Sequence, residues 1–96
     1  MSPIKKKKLD KLRKELDQLD NSLIKIIKKR TDLVKKVLKL KEFKNQIVDK
    51  KRINVILNKI KKLSIKNKVD PKVTNRIWKN MIWSYIDYER RNFKKK

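Results

Sequence analysis

The sequence predicts an all-α chain of three helices, on three observations. Apolar residues recur at alternating steps of three and four, the spacing of one helical stripe. Gly is absent and Pro occurs only twice, so the residues that tight turns and hairpins use are nearly missing. Charged residues make up 44% of the chain and fall largely between the apolar positions. Ninety-six residues form one small domain spanning 1–96, with basic tails at 1–7 and 94–96. A chain of this size buries only about two-thirds of its unfolded surface, so an additional interface would help it.

The first helix is expected from about Lys8 to Lys41, carrying Leu9, Leu12, Leu16, Leu19, Leu23, Ile26, Leu33, Val37 and Leu40 on one seam. At 1.5 Å per residue it is about 50 Å long, too long to cover its own seam within a compact domain of this size. The segment Glu42 to Val48 is polar and reads as the mobile linker. A second helix opens at Asp49 as N-cap and carries Ile53, Ile56, Leu57, Ile60 and Leu63. The third starts with Asp70 as N-cap and Pro71 at the first helical position, after a turn at Val69 to Pro71. Val73, Ile77, Trp78, Met81, Ile82 and Tyr85 form its inward face, with Trp83 and Tyr88 also read as packing residues. Arg90, Arg91 and the final lysines suit its C-terminal dipole.

Composition also narrows the chemistry. Without Cys there is no disulfide, thiolate nucleophile or zinc-thiolate site, and without His the commonest general base and metal ligand are missing. Catalysis must then use carboxylates, cations and shape, and no cofactor or metal is expected. The opening MSPIKKKKLD lacks the apolar stretch of a signal peptide, and no apolar run reaches transmembrane length, so the expected location is cytoplasmic. The net charge of +22 raises a basic helical nucleic-acid-binding module as an alternative. Against it, Lys11, Lys14, Lys25, Lys28, Lys35 and Lys39 lie opposite the first apolar seam, where any solvated face would be, and no recognition helix or zinc spacing accompanies them.

Several polar residues align with the apolar faces instead. Arg30 occupies the step of the first seam where a Leu or Ile belongs, and a guanidinium among leucines needs an anion there. Lys41 follows eleven residues later, about 1,100° of rotation and 16 Å along the axis, so both project to nearly the same side. Arg52 stands in the first turn of the second helix, where backbone N–H groups also favour an anion. Glu89 ends the run Trp78, Ile82, Tyr85 on the third helix. Arg13, seventeen residues before Arg30, is about 25 Å away on the same rod, so it joins the same site only from another chain.

LDKLRKELDQLDNSLIKIIKKRTDLVKKVLKLK resembles the first helix of the all-α, type II chorismate mutases and the related isochorismate pyruvate lyases. The shared pattern is Leu-x-x-Leu-Arg, an Asp seven residues later, a second Arg on the seam and a Lys eleven beyond it. The likeness continues through DKKRINVIL and VDPKVTNRIWKNMIWSYIDYE, carrying the ordered set Arg13, Asp20, Arg30, Lys41, Arg52 and Glu89.

The resemblance implies an intertwined homodimer whose long first helices cross between subunits, with Arg13 donated in trans. It also implies chorismate as substrate and prephenate as product, in aromatic amino-acid biosynthesis. Arg13 and Arg30 would hold substrate carboxylates with Arg52 nearby, and Lys41 would donate to the ether oxygen and one carboxylate. Asp49 would meet the substrate hydroxyl, Glu89 would donate to the ether oxygen, and Asp20 would orient a neighbouring base. Such a pericyclic rearrangement requires no nucleophile, in agreement with a chain devoid of Cys and His. Tyr85, alone among the aromatic residues, would contact substrate; it and Arg52-Ile53 are more similar to the lyase branch, so isochorismate pyruvate lyase, forming salicylate, is the nearest alternative.

Overall fold

A computed structural model describes residues 1–94; the expected tail residues Lys95 and Lys96 lie outside the described residues. The elements run α1 (Pro3–Leu40), a short 3₁₀ turn (Lys44–Gln46), α2 (Lys50–Lys66) and α3 (Pro71–Asn92), with no strand among the described residues. No helix among them is long and apolar enough to cross a membrane.

The helix starts follow local chemistry. Asp49 caps α2 by accepting from the Arg52 backbone N–H at 3.0 Å, and Asp70 caps α3 by accepting from the Lys72 N–H at 2.9 Å, with Pro71 in the first turn. Both caps agree with the sequence expectation. The start of α1 does not. Residues 3–7, expected as tail, are helical, because Ser2-Pro3 repeats the polar-cap and N1-proline signal: the Ser2 Oγ accepts from the Lys5 N–H at 3.3 Å.

The chain divides into two compact units, residues 1–33 and from Val34 onward. The first is helical throughout after Ser2, and Leu12, Leu16, Leu19, Leu23 and Ile26 each expose more than half of their surface. In the second unit α2 packs against α3. Its core is Ile47, Ile82 and Ile86, with Ile53, Ile56, Leu57 and Phe93 packed around them. Ser64, buried on α2, donates to the Ile60 carbonyl and lies 2.6 Å from the Thr74 hydroxyl on α3, so the polar contact between the helices is satisfied.

A Schellman motif ends α2: the Val69 N–H donates to the Ser64 carbonyl at 2.9 Å and the Lys68 N–H to the Ile65 carbonyl at 3.2 Å. The left-handed residue this motif needs is Lys68, at φ 56°, in a chain that has no glycine to place there.

Three further expectations are corrected. Val73 and Ile77, expected inward on α3, are half exposed, as is Trp83; the buried stripe runs through Ile82, Ile86 and Glu89 instead. The linker from Glu42 to Val48 is not featureless, since it contains the 3₁₀ turn and buries Ile47 in the core. Finally, α1 stops at Leu40, so Lys41 stands one residue past its end and the helical rotation that related it to Arg30 no longer fixes its direction.

Candidate active site

Ile82, Ile86 and Glu89 follow one another at steps of four and three, so Glu89 lies on the stripe of α3 that faces the core. A carboxylate at that position needs a partner. Lys41 supplies it: its Nζ donates to Glu89 Oε1 at 3.0 Å and to Oε2 at 3.1 Å, across 48 residues of sequence. The Glu89 side chain is 7% exposed and that of Lys41 18%, so the pair opens to solvent on the lysine side. The ion pairs Lys28–Asp32 and Asp87–Arg91 are, in contrast, exposed one-turn contacts of the kind that contributes little.

Lys41 also lines an open cavity of about 550 Å³, together with Gln46, Val48, Asp49, Lys50 and Lys51. This cavity is walled by the connection between α1 and α2 and by the first turn of α2. Its lysines and the free N–H groups of that turn make it favourable for an anion. Asp49 has one carboxylate oxygen committed to its cap, and Arg52, held at the cap by its backbone, leaves its guanidinium exposed and without a hydrogen-bond or ion-pair partner among the described residues. Tyr85 is half-buried on α3, one turn before Glu89.

Of the residues expected to form a site, the second unit therefore holds Lys41, Asp49, Arg52, Tyr85 and Glu89, with Lys41 and Glu89 in direct contact. Arg13 and Arg30 belong to the first unit, about 25 Å apart along α1 at 1.5 Å per residue, and are not brought together within one chain. Arg30 is half-buried, Arg13 is exposed, and neither guanidinium has a hydrogen-bond or ion-pair partner among the described residues. Asp20 is exposed and likewise pairs with no base there.

Sequence reasoning passed over Gln46. Its Oε1 accepts from the backbone N–H of Glu42 at 2.7 Å and of Phe43 at 2.9 Å, closing the turn that follows Lys41. The Gln three residues after Phe43, the reach-back spacing of a capping residue, was the legible signal.

Residues 12–90, which include every candidate residue above, match the family described as chorismate mutase type II. The chain is 35% identical over 79 residues to a chorismate mutase of Methanocaldococcus jannaschii, an alignment covering 78% of this chain and 77% of that protein. No solved structure matches. The ordered cations, the three-helix fold and the extent of these matches lead to one conclusion: the chain belongs to the type II chorismate mutase family.

Proposed function

We propose that this chain is a chorismate mutase, rearranging chorismate to prephenate in the cytoplasm as an intertwined homodimer in which Arg13 of one protomer completes the site of the other. The observation that carries the reading is the Lys41–Glu89 pair at the edge of the cavity beside α2, on the two residues the family pattern assigns to the ether oxygen. The apolar seam of α1 supports the dimer. A row of leucines exposing more than half of their surface calls for a partner of the same period, and a second copy supplies one.

The chemistry follows from the charges. Chorismate carries two carboxylates, and guanidinium groups fix planar anions in direction as well as position, the role proposed for Arg30, the partner's Arg13 and Arg52. The rearrangement breaks the C–O bond of the ether while a new C–C bond forms. Charge therefore develops on the ether oxygen, where hydrogen bonds lower the barrier. Lys41 donates one such bond. Glu89 donates the other once it has taken up a proton, since an ionised carboxylate would repel that oxygen. Asp49 meets the substrate hydroxyl and Tyr85 packs beside the ring.

Incubating the purified protein with chorismate and, separately, isochorismate tests this reading. Prephenate from chorismate is the expected product. Salicylate and pyruvate from isochorismate alone would reassign the chain to the lyase branch. Tight, steeply salt-dependent binding to generic duplex with no turnover of either substrate would replace the enzyme reading by nucleic-acid binding.

A further inference from the structure

Lys41 stands one residue beyond the end of α1, so the helix does not dictate where its side chain goes. Its own amide still bonds back to the Leu38 carbonyl at 3.1 Å, and the next two amides, of Glu42 and Phe43, both donate to the single oxygen Oε1 of Gln46. The Glu42 N–H belongs to the peptide unit whose other half is the Lys41 carbonyl. Holding it constrains the ψ angle of Lys41, and with it the direction of the lysine Cα–Cβ bond relative to the turn that follows. Gln46 is in turn fixed from below: its N–H donates to the Phe43 carbonyl at 3.1 Å, and Ile47, the next residue, is buried in the core at 4% exposure. A polar side chain thus couples the core of the second unit to the residue that reaches Glu89.

We infer that Gln46 is a positioning residue for the rearrangement, acting through the backbone at Lys41 rather than on the substrate. The inference rests on the proposal that Lys41 touches the substrate. Gln46 lines the same cavity, but its oxygen is engaged by two backbone amides, which is the work of an acceptor that shapes a turn. With those bonds gone, the turn after Lys41 has nothing else holding the Glu42 amide among the described contacts, and the ammonium spends less time in its productive place.

Steady-state kinetics on chorismate for Q46A, Q46E, K41A and the double variant Q46A/K41A test this. Gln46 is exposed, so Q46A opens no core cavity and the fold, followed by circular dichroism, is retained. The expected result is a fall of about tenfold in kcat for Q46A, the size of effect a small misplacement of a reacting group produces. Q46E keeps an oxygen facing both amides, so its kcat recovers to within a few-fold of wild type. Its KM rises, because a new carboxylate at the cavity meets a dianion. In the K41A background, Q46A costs nothing further. An unchanged kcat in Q46A, a Q46E protein as slow as Q46A, or a full additional loss in the double variant would each overturn the inference. Wild-type turnover by K41A would instead remove Lys41 from the site, a failure of the underlying proposal that this set of variants separates from the rest.

Discussion

Replacing Lys41 by Met and Glu89 by Gln perturbs the same ion pair from its two ends, and the burial of the two side chains makes the outcomes unequal. K41M keeps the length of the side chain but leaves a carboxylate that is 7% exposed with no cation. Removing one partner of a fully buried pair costs about 3–5 kcal/mol; the lysine side is 18% exposed and admits water, so about 2–3 kcal/mol is expected here. E89Q is close to isosteric, its amide oxygen still accepts from Lys41, and the ammonium can turn toward solvent, so a loss of about 1 kcal/mol or less follows. Against a total stability of about 5–15 kcal/mol, a difference of one to two is readily resolved by urea unfolding, with protomer concentration held constant because a dimer's stability depends on it. Activity separates the variants further. K41M loses turnover, whereas E89Q keeps it, since an amide donates to the ether oxygen without first acquiring a proton. An E89Q protein at least as destabilised as K41M, or inactive, would refute this account of the pair.

Three other outcomes are expected. R13A and R30A chains, each inactive alone, regain activity when unfolded and refolded together. Random pairing makes half of the dimers mixed and each mixed dimer has one intact site, so about a quarter of wild-type activity returns, and a mixture no better than either variant contradicts the shared site. R30M leaves thermal stability unchanged or higher, because the half-buried Arg30 has no ion-pair partner among the described residues, while turnover drops by about a hundredfold or more; an active but less stable R30M protein would show a structural role instead. K68G raises stability by about 0.5–1 kcal/mol in denaturant titration by relieving a left-handed lysine, and a loss on that substitution would mean that the Lys68 side chain contributes to the turn.

How much of this protein its sequence determines depends on the range of the interactions involved. Helix identity, the caps at Asp49 and Asp70, and the N1 proline at 71 are set by contacts within a few residues, so they are legible directly, and the same rule explains why Ser2-Pro3 starts α1 earlier than its apolar seam suggests. The candidate cations were legible as polar residues on apolar faces. Their pairing was not, because Lys41 and Glu89 are 48 positions apart and meet only after α1 has ended and α3 has packed on the core. Tertiary contact also decides which residues of α3 are buried. Val73 and Ile77 fit the helical period as well as Ile82 and Ile86 do, and only the packing of α2 and Ile47 selects the latter pair. The turn after Lys41 draws on both: the capping spacing from Phe43 to Gln46 is local and legible, whereas the burial of Ile47 that anchors the turn in the core depends on the packing of α3.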